Sequence, residues 1–306
     1  MSLKLTVQGW DTGGRVLASC RRDYRQEARD NSMSTLNVQG ISLSYETHGD
    51  PEAPPVLLVS GLGGVGASWG TQIARFTEKY HVILPDQRGT GRTTRALDGH
   101  TTRQLAADMA SLVEELVVGP VHVVGASTGG AIAQYMALEH PRLVRSLTLS
   151  STFARFDAFT RREFEVRRRL AAEWDRRDLL SAYALFLFGP RYAREHPEAV
   201  VEWIDRAAAL PAHPDDRRIG LARIDMIAAH DTFARLREIA QPTLVLCGEH
   251  NFCTPLPLSE ELVRGIPDAT LIVFEDAGEL IELEQPVRFF TEVSGFIDGL
   301  CDPARG

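Results

Sequence analysis

The sequence predicts an α/β protein: a mostly parallel sheet flanked by helices and interrupted by an inserted helical segment. Three observations carry this. Short unbroken apolar runs recur, each bounded by Gly, Pro or charged residues. Amphipathic helical patterns lie between them, and the alternation implies right-handed crossovers between parallel strands. From about residue 153 to 230 no strand-like run appears, and helical stretches follow one another instead.

The elements follow in chain order. STLNVQGISLSYETHG, after Met33, reads as a first β-hairpin, and residues 1–33 form an N-terminal extension whose order the sequence does not decide. The runs Val56 to Val59, Val82 to Leu84, Val121 to Val124 and Leu147 to Leu149 lack polar alternation, as strands covered on both faces do. Leu105, Met109, Leu112, Val113 and Leu116 share one helical face, opened by Thr101 with Gln104 three residues on as a capping box. The segment 153–230, which includes TRREFEVRRRLAAEWDRRDLLSAYALFLF, reads as a helical cap over the active edge of the sheet. Strands resume at Leu244 to Leu246 and Leu271 to Phe274, before a helix from about Pro286 to Leu300. The core is therefore 34–152 and 231–306, split by the cap.

Composition narrows the function. The chain has 306 residues, 44% hydrophobic and 24% charged, enough for a substantial core. A net charge of −8 repels phosphate backbones and anionic lipid surfaces, so neither nucleic acid nor membrane is an expected partner. The N-terminus is too polar for a secretory signal and no apolar run suits a spanning helix, so a cytoplasmic location is expected. Cys20, Cys247, Cys253 and Cys301 are scattered without metal-like spacing and read as free thiols.

The chemistry concentrates at VHVVGASTGGAIAQYMALEHP. An apolar strand ends at Gly125, Ser127 follows two residues later, Gly129 two more, and a helix begins. This is the G-x-S-x-G nucleophile elbow, in which small flanking residues permit a turn that exposes the serine hydroxyl at a helix N-terminus. Upstream, PPVLLVSGLGGVGASW ends a strand in a glycine-rich loop. The backbone N–H groups of Leu62 and Thr128 are the expected donors to an oxyanion, with Ser60 and Gly61 beside the substrate. A phosphate loop is disfavoured because no Lys-Ser/Thr ending follows.

From Met33 to Leu300 the chain resembles the α/β-hydrolase superfamily. SGLGG, DQRGTG, GASTGG, PTLVLCGEHNFCTP and DAGELIELEQP fall in the family's order. SGLGGVGASW, DQRGTG, TRREFEVRRRL and ALFLFGP look most like aminoacrylate/carbamate-type and enol-lactone hydrolases. The resemblance implies the α/β-hydrolase fold, a small-molecule carbonyl substrate, no cofactor and no metal. It also implies structural roles for Asp86 and Arg88.

Two positions depart from the family pattern. Where its acid stands, the chain reads Gly248-Glu249-His250-Asn251, and where its catalytic histidine stands, Asp276-Ala277-Gly278-Glu279. The paired changes are coherent, because a Glu beside the usual Asp would force two carboxylates together, whereas Asn251 can donate an N–H to Glu279. The expected catalytic set is therefore Ser127, Glu279 and Asn251. A glutamate is a weaker base than histidine by about 2 pK units, or roughly 3 kcal/mol, which burial can partly restore. Three functions stay open: hydrolysis of an ester, lactone, amide or carbamate; lyase, eliminase or cyclase chemistry with Glu279 moving a proton; and a pseudoenzyme that binds a small ligand.

Other candidates are weaker. His250, beside Asn251, and His230, at the cap's return, are the substitute bases if a histidine serves after all. Phe153, Trp174 and His230 are candidate pocket residues, and Phe156, Phe186 and Phe188 read as cap core or pocket lining. The arginines of the first cap helices, Arg161, Arg162, Arg167, Arg168, Arg169, Arg176 and Arg177, alternate with acids as a solvated face does, unless one turns inward to meet a substrate carboxylate.

Overall fold

The computed structural model describes residues 33–116 and 119–301, so the N-terminal extension up to residue 32 lies outside it. An eight-stranded sheet forms the centre, in the order β1-β2-β4-β3-β5-β6-β7-β8. The hairpin β1 (Ser34–Val38) and β2 (Ile41–His48) is antiparallel, and β2 also runs antiparallel to β4 (His81–Pro85). The other pairings are parallel, through β3 (Pro55–Val59), β5 (Val121–Ala126), β6 (Val144–Ser150), β7 (Thr243–Gly248) and β8 (Ala269–Phe274). This is the expected mostly parallel α/β architecture.

The unbroken apolar runs are explained by helices on both faces. In β3, Leu57 and Val59 point to one face, with Leu105, Met109 and Leu112 of α2 (Thr102–Leu116) and Ile132 and Met136 of α3 (Thr128–Glu139). Val56 and Leu58 point to the other, with Phe76 of α1 (Thr71–Thr77) and Phe289, Val293 and Ile297 of α11 (Pro286–Cys301). The Thr101 hydroxyl accepts from Gln104 N–H at 3.0 Å and so opens α2.

Between β6 and β7 the chain inserts five helices: α4 (Ala158–Glu173), α5 (Arg176–Leu187), α6 (Pro190–Glu195), α7 (Pro197–Ala209) and α8 (Asp216–Ala228). Asp157 and Asp175 cap α4 and α5 by accepting from Thr160 N–H and Asp178 N–H. The segment has its own small core around Ala184, Phe188 and Ile204. After β7 come α9 (Leu256–Gly265), then β8 and the short α10 (Ile281–Glu284). Among the described residues, no helix is long and apolar enough to cross a membrane.

Asp86 and Arg88 hold loops together. Asp86 accepts from Gly66 N–H and Arg92 N–H, and Arg88 pairs with the buried Asp108 through two hydrogen bonds of 2.9 and 2.8 Å.

Candidate active site

Ser127 sits between β5 and α3 at φ 52°, ψ −116°, a conformation that costs a non-glycine residue energy and persists only where its surroundings impose it. The surroundings are explicit. A Cβ on Gly125 would fall 2.4 Å from Gly129 O, and one on Gly129 would fall 2.0 Å from Val59 O. Both flanking glycines are required by close backbone approach, and the turn pushes Ser127 out into a half-buried position.

Two loops approach this serine. A Cβ on Gly61 would lie 3.4 Å from Ser127 Cβ, which sets the glycine-rich loop after β3 beside the nucleophile position. Ser60 lies in that loop, but its hydroxyl donates to Val65 O at 2.8 Å and braces the turn. Thr128 is the first residue of α3, so its N–H has no acceptor within the helix. Its buried hydroxyl has no hydrogen-bond partner among the described residues. Leu62 is half-buried, and its carbonyl accepts from Arg223 Nε at 2.8 Å. Arg223, on α8, also donates to Gln87 Oε1 (2.6 Å), and Gln87 donates to Ser60 O (2.7 Å). Sequence reasoning passed over this brace. Burial depresses the Arg223 guanidinium to about 10, still far above neutral pH, so it remains a cation.

Glu279 lies in the loop between β8 and α10, 3% exposed. Its Oε2 accepts from Thr254 Oγ1 at 2.7 Å, and the nearby Ser127 and Asn251 side chains favour its charged form. Burial works the other way and is the largest influence, raising Glu279 above the ordinary carboxylate range. The backbone fixes the loop: Glu279 N–H donates to Leu187 O (2.8 Å), and Glu279 O accepts from Ser151 Oγ (2.7 Å).

The amide contact differs in one respect from expectation. Asn251 Nδ2 donates at 2.9 Å to Thr254 Oγ1, which in turn donates to Glu279. Asn251 Oδ1 accepts from Thr254 N–H, also at 2.9 Å, and this local turn sets the threonine hydroxyl between amide and acid. Thr254 is therefore the residue the motif reading missed. Its signal was the fixed spacing of three residues from an Asn in a loop.

Several expected lining residues go elsewhere. Trp174 caps the outer end of α4, 43% exposed, and its carbonyl accepts from Arg217. Phe153 is completely buried in the core, packed on Phe156 and His230. The His230 ring nitrogens face Thr102 Oγ1 (2.9 Å) and Thr232 Oγ1 (3.4 Å), and burial lowers its pKa to about 3, so it is a neutral core histidine. His250 lies on the surface, 3.9 Å from Asp276. With Glu249 these two form an exposed group of metal-ligand types within 4.8 Å of one another, where Asp276 is paired to Arg191. Cys247 and Cys253 are buried free thiols, whereas Cys20 lies outside the described residues.

The insertion touches the site directly. A Cβ on Gly278 would fall 2.4 Å from Gly189 N, and the Glu284 carboxylate accepts from both Gly189 N–H and Gly278 N–H at 3.1 to 3.2 Å. Phe252, beside Asn251, packs on Phe159 of α4 and Phe186 of α5.

Sheet, elbow and crossover pattern define one class, and comparison with known proteins agrees. Residues 54–286 match the family model for the alpha/beta hydrolase fold. The chain belongs to the α/β-hydrolase family. It is 35% identical over 254 residues to a protein of Azorhizobium caulinodans that carries the name carbamate hydrolase RutD, covering 83% of this chain and 94% of that one. Among solved structures it is similar to a thermophilic esterase from Thermogutta terrifontis (28% identity, TM-score 0.75, 88% and 97% of the two chains). An enol-lactonase from Burkholderia xenovorans shares the fold (23% identity, TM-score 0.78, 87% and 100%).

Proposed function

We propose that this hydrolase-family enzyme acts on a small ester, lactone, amide or carbamate, with Ser127 as nucleophile and Glu279 in the proton-carrying role. The observation that carries the reading is the buried Glu279 carboxyl, held by Thr254 with Ser127 close enough to favour its charged form. Carbamate hydrolase by name, the curated relatives favour this substrate class.

The steps follow from the arrangement. Ser127 Oγ attacks the carbonyl carbon as its proton passes to a Glu279 oxygen. The negative oxygen of the tetrahedral intermediate takes the N–H groups of Leu62 and Thr128. The intermediate collapses, the leaving group departs with the proton from Glu279, and the acyl-enzyme remains. Water then attacks the acyl carbon, Glu279 takes the water's proton and returns it to Ser127 Oγ, and the acid is released. Asn251 and Thr254 keep Glu279 oriented through the cycle, and the raised affinity of a buried carboxyl for protons offsets part of its weakness against an imidazole.

Among the described residues no histidine joins this cluster, which favours a second reading. A carboxylate suits an acidic C–H better than a serine hydroxyl, so the oxyanion donors could hold an enolate while Glu279 moves the proton, as in elimination or ring closure. A fluorophosphonate probe separates the two. Labelling of Ser127 that is lost in Glu279→Gln supports the nucleophile. Absence of labelling, with turnover that survives Ser127→Ala and falls in Glu279→Gln, supports proton transfer. Ligand binding with no turnover on either route would make the protein a binding module.

A further inference from the structure

Arg161, Arg162, Arg168, Arg169, Arg176 and Arg177 face solvent, and Arg167 does not. Thr160, Glu163, Phe164 and Arg167 are spaced along α4 so that they share its inward face, and all four are buried. Arg167 lies over the rings of Phe164 (4.5 Å) and Tyr183 (4.3 Å). Its Nη1 stands 3.4 Å from both Glu163 Oε1 and Cys253 Sγ. Cys253 precedes Thr254, whose hydroxyl is bonded to Glu279, so the cation flanks the Ser127 cluster and its field reaches both carboxyls.

One positive charge beside two buried carboxyls fully compensates only one of them, and a second unpaired buried carboxylate is unfavourable. Glu163 Oε2 has no hydrogen-bond partner among the described residues, as suits a carboxyl held neutral more than one held charged. We infer that Arg167 is the shared counter-ion of Glu163 and Glu279, and that Glu163 keeps the proton so that Glu279 stays ionised beside Ser127. Both are positioning residues, acting through Glu279.

The groups facing Glu279 are Glu163 and Arg167 of α4, Cys247 of β7, Cys253 of the following loop, and Glu282 and Glu284 of α10. Tyr183 of α5 faces Arg167 and Glu163. Arg167 is the cation of this set. Burial pushes Glu163 up to about 7 against the pull of Arg167, and Glu279 adds to the rise. Glu279 is raised by burial but pulled back by Thr254, Ser127, Asn251 and Arg167.

The electrostatic pairing stands apart from the reading of Glu279 as proton carrier, though its use in catalysis rests on that reading. Infrared spectra of the full chain labelled with carboxyl-13C glutamate follow each carboxyl, with Glu279→Gln and Glu163→Gln assigning the bands. In Arg167→Gln the Glu279 midpoint is expected to rise by about one to three pH units, and in Arg167→Lys to stay within about half a unit. In Glu279→Gln the Glu163 midpoint is expected to fall, because an ionised neighbour that raises it is removed. Opposite shifts support the pairing, because a merely structural lesion has no reason to produce them. Shifts in one direction, or an unmoved midpoint in folded Arg167→Gln, overturn it. If Arg167→Gln does not fold, Glu279→Gln decides alone: a fall of the Glu163 midpoint supports the pairing, and no change or a rise overturns it. Moving midpoints with no Ser127 labelling by fluorophosphonate at any pH would leave the pairing intact and sink the nucleophile instead.

Discussion

Thr254 contributes a single hydroxyl, and that hydroxyl both accepts from Asn251 and donates to Glu279. Replacing it with valine keeps the shape and removes the relay, leaving one Asn251 N–H and one Glu279 oxygen short of a partner. The expected result is a fall in the rate of Ser127 labelling of roughly tenfold to a hundredfold, from about 1 to 3 kcal/mol of lost interaction. Serine at this position is expected to retain most of the rate, and stopped-time labelling with a fluorophosphonate compares the two. Gly129 makes a different residue-scale prediction. A methyl group there would meet Val59 O at 2.0 Å, so Gly129→Ala is expected to lower unfolding free energy by more than about 3 kcal/mol in urea titration.

At the scale of elements, the loop that carries Leu62, the proposed oxyanion donor, is held from outside itself. Arg223 reaches from α8 to Leu62 O and Gln87, and Gln87 reaches to Ser60 O. Arg223→Met fills similar volume but takes the guanidinium donor from Leu62 O, Arg88 O and Gln87 Oε1, an expected loss of about 2 to 4 kcal/mol in stability. Labelling of Ser127 in the folded variant is expected to slow by at least about tenfold, because the Leu62 N–H would lose its fixed aim. Gln87→Leu is the companion test, with a smaller effect in both measurements.

Element by element, legibility tracked how local the signal was. Gly125, Ser127 and Gly129 were plain because strand, turn and helix follow one another in sequence and backbone crowding dictates the residue types. The apolar runs announced buried strands, and the silence between 153 and 230 matched helices α4 to α8. Asn251 and Glu279 stand out in the sequence only because the resemblance marks their positions. Arg167 was hidden, since a charged residue among charged neighbours gives no sign that its turn of the helix faces inward. Trp174 misled for the mirror-image reason: an apolar ring at a helix end was free to stay on the surface.

The whole molecule carries an unusual set of buried acids. Burial lifts Glu282 to about 8, Glu163 to about 7 and Glu284 to about 6, so the folded state holds protons that the unfolded chain releases near 4.5. A raised carboxyl stabilises the fold below its unfolded value, and that contribution is lost as pH climbs through the folded one. Histidines work in the opposite sense: burial lowers His122 to about 4 and His230 to about 3, so they cost stability as pH falls below about 6.5. The two effects oppose each other in acid. Above pH 6.5 the histidines are spent and the acids remain. Stability is expected to decline by about 2 kcal/mol between pH 6.5 and 8.5, read from urea midpoints, with Glu282→Gln removing most of the decline.

Leu187 ends α5, and its carbonyl receives the amide of Glu279, while Glu284 grips Gly189 and Gly278 with one carboxylate. Those bonds run between the end of α5 and the loop after β8 that carries Glu279. The carboxyl is thus indexed to the inserted helices as firmly as to the sheet, and a substitution at the end of α5 is expected to be felt at Glu279 without touching it.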